Sequence, residues 1–145
     1  MKKLLIVFTI FSSIYSTGSF AQDKTPAIVS KSFQNSFSNA EEVSWSEAND
    51  LYRAAFTSAG QTLFAFFDAE GNLVASARDI SLLQLPLSLQ TDLRKKYKDF
   101  TVTNSFEINN EAGTAYYVTV ESNFTRLQLK SASYGEWDTY KKSRI

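Results

Sequence analysis

Apolar residues recur four apart at two places in the chain, each time beginning three residues after a proline. In Pro26–Phe37 they are Val29, Phe33 and Phe37; in Pro86–Tyr97 they are Leu89, Leu93 and Tyr97. That spacing stacks side chains on one face of a helix. A proline near the helix start costs nothing, because the first N–H groups have no partner there. Each stretch therefore predicts an amphipathic helix of about three turns, the first with Thr25 as its N-cap. Elsewhere apolar and polar residues alternate, which is the period of a strand. Strands are expected near Glu42–Glu47, Leu51–Thr57, Thr62–Asp68 and Asn72–Arg78, then near Val102–Ile108, Thr114–Ser122, Thr125–Ser131 and Glu136–Lys141. The links AND, SAGQ and DAEGN are short, so the strands they join must be antiparallel neighbours.

The pattern repeats. At an offset of sixty Pro26 meets Pro86, Val29 meets Leu89, Phe33 meets Leu93 and Phe37 meets Tyr97. Further on the offset is sixty-four: Tyr52 meets Tyr116, Ala54 Val118, Phe56 Val120, Leu63 Leu127, Ala65 Leu129, Gly71 Gly135 and Leu73 Trp137. The polar stretch INNEAG (Ile108–Gly113) is the natural place for the four extra residues, as a loop. The expected fold class is α+β: two tandem helix-plus-four-strand units forming an antiparallel sheet, with both helices packed on one face. The repeats span about 25–80 and 81–145, with ISLLQLP between them.

Positions apolar in both copies should face the helices: Val29/Leu89, Phe33/Leu93, Phe37/Tyr97, Tyr52/Tyr116, Ala54/Val118, Phe56/Val120, Leu63/Leu127 and Leu73/Trp137. At the alternate positions one copy is polar where the other is apolar. Phe64 meets Gln128, Phe66 meets Lys130, Arg53 meets Tyr117, Val74 meets Asp138 and Ser76 meets Tyr140. These residues are expected on the sheet face away from the helices, in solvent. There Phe64, Phe66 and Val74 beside Arg53 would make an apolar patch suited to a protein or peptide partner.

Other motifs are weaker. DAEGN has two alternating acids and a glycine, but the glycine comes at the fourth position rather than the sixth, and no closing Glu follows. The second copy reads SASYGEW, without acids. DAEGN is therefore expected to be a turn, and no metal site is assigned. RKKYKD (Arg94–Asp99) reads as a solvated helix face. Asn123-Phe124-Thr125 matches a glycosylation acceptor. Glu41 and Glu42 are adjacent and would point to opposite faces of a strand. Trp45 can be read as core or exposed, its register against Phe106 being open.

Composition narrows the chemistry. The 145-residue chain has no Cys and no His, which removes the commonest general base, thiol nucleophiles and the usual transition-metal ligands. No catalytic residue and no cofactor is assigned. The start, MKKLLIVFTIFSSIYSTGSFAQ, has two lysines, a short apolar run, and Ser19 and Ala21 spaced for a signal peptidase. It reads as a signal peptide over residues 1–21, cleaved after Ala21, with a single domain over 22–145. The remaining 124 residues carry 13 basic and 15 acidic side chains, a balance that does not draw nucleic acid or acidic lipid. No later segment is apolar enough to span a membrane.

The stretches SFSNAEEVSW, LYRAAF, FFDAEGNLV, QLPLSLQTDLRKKY and AYYVTV together resemble the PepSY-like, β-lactamase-inhibitor-like (BLIP-like) exported bacterial proteins, over essentially the whole chain after the leader. The resemblance implies an antiparallel sheet with helices on one face. It also implies a periplasmic or secreted binding role, inhibition of an enzyme included, and it brings no catalytic set. The expected function is thus an exported, non-enzymatic binding module. The alternatives are a periplasmic enzyme using carboxylates or Ser–Lys chemistry, and a structural or assembly factor of the cell envelope.

Overall fold

The computed structural model describes residues 25–132 and 135–145. The signal-peptide reading of residues 1–21 lies outside the described residues. The elements are α1 (Ala27–Ser36), β1 (Glu41–Ala48), β2 (Leu51–Ser58), β3 (Gln61–Phe67), β4 (Leu73–Asp79), a 3₁₀ turn (Leu82–Gln84), α2 (Leu87–Lys96), β5 (Thr101–Asn110), β6 (Gly113–Glu121), β7 (Thr125–Ala132) and β8 (Asp138–Arg144). This is an α+β fold whose strands follow chain order, β1 to β8, in an antiparallel sheet. The chain divides into two compact units, Met1–Ser76 and Ala77–Ile145, with the division inside β4.

Both helices begin where the proline pattern places them, with one correction. Pro26 and Pro86 are themselves the N-caps, and neither helix has a side-chain cap. Thr25 is therefore not the cap. The first helical bond runs from the Ser30 N–H to the Pro26 carbonyl, and its counterpart from Gln90 to Pro86, both at 3.1 Å.

In the first unit α1 lays Val29 and Phe33 onto Trp45, Ala54, Phe56, Ala65 and Phe67, with Phe37, Tyr52 and Leu63 at the margin. Phe33 meets the rings of Trp45 and Phe56 edge-on at 5.3 and 5.0 Å, the favoured arrangement for aromatic pairs. In the second unit α2 lays Leu89 and Leu93 onto Ile80, Leu85, Val118, Val120, Leu129 and Trp137, with Tyr97, Phe100, Val102, Tyr116 and Leu127 packed around them. Trp45 is thus core, and its register partner is Ala54.

Two expectations need correction. Leu73 is 46 % exposed while its counterpart Trp137 is 4 % exposed, so that pair does not share a core position. The reason is that Trp45 already fills the space under α1, and Leu73 stands at the end of a hairpin. Only Glu111-Ala112 of INNEAG is turn. β5 runs to Asn110 and β6 starts at Gly113, with Asn109 opposite Thr114 and Asn110 opposite Gly113. The Thr114 hydroxyl donates to the Asn109 amide oxygen at 2.6 Å. The extra residues lengthen a hairpin rather than interrupt it.

DAEGN is a turn. The Asp68 carboxylate accepts from the Asn72 backbone N–H at 2.8 Å and from the Asn72 side-chain amide at 2.9 Å. Gly71 has φ +83° and lies so close to α1 that a Cβ there would meet Ser32 Oγ at 3.0 Å and the Ile28 carbonyl at 3.1 Å. Only glycine suits both demands.

Candidate functional site

Ala54 faces Ala65 inside the core of the first unit, so the flanking pair Arg53–Phe66 points to the opposite face. Ala55–Phe64 is the next pair on that face, and Ser46 lies opposite Arg53 on β1. The Arg53 Nε–H donates to Ser46 Oγ at 2.9 Å. Its guanidinium sits 5.7 Å from the Phe64 ring centroid, within cation–π reach. Burial pulls the Arg53 guanidinium below its ordinary pKa, because a cation with less water around it is harder to keep charged.

Three of the four expected binding residues are brought together in this way: Arg53, Phe64 and Phe66. Val74 is half-buried on β4 and has no described contact with the Arg53–Phe64 pair. The face itself differs from expectation. Phe66 is only 1 % exposed, whereas Arg53 and Phe64 are half-buried. Phe66 cannot be a contact residue and belongs with the packed interior.

The second unit repeats the correction. Tyr117 pairs with Lys130 on the same face, at the positions matching Arg53 and Phe66 at the sixty-four-residue offset. Tyr117 is 0 % exposed. The Lys130 ammonium lies 5.7 Å from its ring centroid and the Tyr140 ring meets it edge-on at 5.8 Å. Burial, with the charge of Tyr140 as a smaller contribution, pushes the Tyr117 hydroxyl well above the usual range. Each unit thus places one cation and one aromatic on the same cross-strand pair, in opposite order. Sequence alternation found the positions but read the buried Phe66 and Tyr117 as bare.

The Arg53 cluster brings together a cation, the Ser46 hydroxyl and the Phe64 ring. Other charged side chains are paired elsewhere in the chain. Glu107 takes both Arg78 nitrogens at 3.1 and 3.2 Å. Lys96 bridges Asp92 and Glu136 at 3.2 and 2.8 Å, so one lysine of RKKYKD ties α2 to the segment before β8.

Solved structures share the fold. A protein from Bacteroides eggerthii, described provisionally as periplasmic, superposes with TM-score 0.75 at 17 % identity, over 83 % of this chain and 89 % of its own. A BLIP-like protein from Bacteroides fragilis superposes with TM-score 0.69 at 20 % identity, over 83 % of this chain and 86 % of its own. The fold is BLIP-like. A DUF2874 family protein from Bacteroides uniformis superposes with TM-score 0.74 at 20 % identity, over 82 % of this chain and 88 % of its own. No family model matches the chain, and none of the curated proteins compared with it matches. Among the described residues no helix is long and apolar enough to cross a membrane.

Proposed function

We propose that this protein is an exported, non-enzymatic binding module built from two copies of a helix-plus-four-strand unit. It recognises a protein or peptide partner through the Arg53–Phe64 surface of the first unit. The observation that carries this reading is the half-buried guanidinium, held by Ser46 and lying over the Phe64 ring on the strand face opposite α1. Arginine over an aromatic ring is a favoured composition for the centre of an interface. The leader-like start of the chain and the BLIP-like neighbours support export and binding. Inhibition of an enzyme is one form such binding could take, but a shared fold does not assign a target.

The test is a pull-down from periplasmic extract with the wild type and with the Arg53→Ala/Phe64→Ser variant. The reading requires a partner that the wild type retains and the variant loses, with nearly equal thermal midpoints. A partner retained equally by both would move binding off this surface.

A further inference from the structure

We propose that the second unit carries a binding site for a neutral saccharide, separate from the Arg53–Phe64 surface. A cleft of about 480 Å³ is lined by Asp99, Thr101, Thr103, Glu121, Ser122, Asn123 and Phe124. Thr101 lies opposite Glu121 in the β5–β6 register, so the two side chains share a face. β5 bulges between Val102 and Asn104, at Thr103. The β6–β7 turn, closed by the Ser122 N–H on the Thr125 carbonyl at 2.8 Å, carries Asn123 and Phe124 to the rim. Phe124 is 77 % exposed, and its carbonyl accepts from the Ile145 N–H at 3.3 Å, which steadies the tip.

The chemistry of the lining selects the ligand class. Two carboxylates accept hydrogen bonds; three hydroxyls and an amide both donate and accept. The described lining holds no Lys or Arg, so a phosphate or carboxylate ligand would meet only like charge. Arg126 pairs with the Glu121 carboxylate, which fixes that oxygen without adding a free cation to the cleft. An apolar ligand would leave the polar groups unpaired. A pyranose fits both halves: its hydroxyls suit the carboxylate, hydroxyl and amide groups, and its C–H face suits an exposed ring such as Phe124. A few placed polar groups beside an aromatic surface are the usual make-up of a small-molecule site.

The first unit shows what the second has added. Its matching β2–β3 tip is only Ala59-Gly60, with positive φ at both residues, and it has no aromatic. At the positions of Thr101 and Thr103 it has Glu41 and Val43. The cleft is therefore not a by-product of the shared unit.

Amide chemical shifts of the full chain, followed during titration with glucose, N-acetylglucosamine, maltose and glucuronate, test the proposal. Saturable shifts confined to residues 99–103 and 121–125 are expected with at least one neutral sugar, with weaker binding of anionic glucuronate. Phe124→Ala should weaken that binding about tenfold. Its exposed ring contributes little to the fold, so the thermal midpoint should stay put. The proposal is overturned by absence of saturable shifts with every neutral sugar up to about 0.1 M, a ceiling that still registers very weak affinities. Binding unchanged in Phe124→Ala, or glucuronate binding as well as glucose, overturns it too.

Discussion

The two units solve one packing problem with different side chains. Under α1 the core is aromatic, with Phe33, Trp45, Phe56 and Phe67 resting on small Ala54 and Ala65. Under α2 the matching places hold Leu93, Ser105, Val120, Ser131, Val118 and Leu129. Large has become medium, small has become medium, and two aromatics have become serines. Trp137, from the segment before β8, is the large buried ring of this second core. Interiors are close-packed, so total volume is conserved more strictly than any single position. Ser105 and Ser131 satisfy their own hydroxyls, on the carbonyls of Ile80 and Ala132, as buried polar groups must.

The sharpest way to break this comparison is at the tryptophans. Trp137 is buried, and its indole N–H donates to the Leu89 carbonyl at 2.9 Å while its backbone N–H donates to Asp92 at 3.2 Å. Trp137→Ala should cost about 3–5 kcal/mol. Leu73→Ala, at the matching position of the first unit, should cost under about 1 kcal/mol, because the side chain is half in solvent. Urea unfolding of both variants checks this. Equal losses would mean that the two units use that position alike.

Next in size is the strand face. Phe66→Ala should cost about 3–5 kcal/mol, whereas Phe64→Ala, two residues away on the same face, should lose no more than about 1.5 kcal/mol. If Phe66→Ala proves as mild as Phe64→Ala, the face is bare after all.

These cases mark how far the amino-acid pattern could be read. The helices, the eight strands and the antiparallel neighbours within each half follow from spacing of four, spacing of two and short links. Core positions that are apolar in both units, such as Phe33/Leu93 and Ala54/Val118, were legible because both copies keep the same polarity. Trp45/Ser105 and Phe67/Ser131 were not. There one unit has an aromatic and the other a serine, its large buried ring coming from elsewhere in the chain, and such a change is invisible in a pairwise comparison of positions. Arg53/Tyr117 and Phe66/Lys130 failed in the other direction. Mixed polarity across copies was read as exposure, but Phe66 and Tyr117 are both fully buried. The cleft by Phe124 left only a weak mark, the sequon at Asn123.

A smaller effect separates the ends of the first strands. Glu47 lies opposite Tyr52 as Glu107 lies opposite Tyr116. β1 is the first strand of the sheet order, so Glu47 is exposed at an edge. β5 has β4 beside it, and Arg78 holds Glu107. Burial pushes the Glu107 carboxyl up, but hydrogen bonds from Arg78 and Asn109 outweigh it and hold the group below the usual carboxylate range. A lowered pKa stabilises the fold above the unfolded value of about 4.3, and that contribution disappears as pH falls through the folded value. Glu107→Gln should therefore cost about 1–2 kcal/mol at pH 7 and progressively less on acidification, while Glu47→Gln at the exposed edge should cost under about 0.5 kcal/mol at pH 7. Thermal midpoints between pH 7 and pH 3 decide it, and parallel curves for Glu107→Gln and the wild type would remove the ion pair from the account.

The smallest effect at neutral pH lies at Tyr117, whose place in the first unit is taken by Arg53. Burial favours the neutral phenol and raises its pKa, and Tyr140 is shifted the same way by burial. A raised folded pKa leaves stability intact below the unfolded value of about 10, and stability falls as pH rises above it, because the unfolded chain then releases a proton the folded one keeps. Tyr117→Phe keeps the ring under Lys130 and has no proton to release. It should unfold close to the wild type at pH 7 and gain on it steadily above pH 10. Arg53→Gln in the first unit should leave the slope between pH 9 and 11 as it is, since neither side chain titrates in that range. Urea midpoints across that range are the measurement. If Tyr117→Phe follows the wild type throughout, the phenol is in contact with water, and the covered strand face of the second unit must be given up.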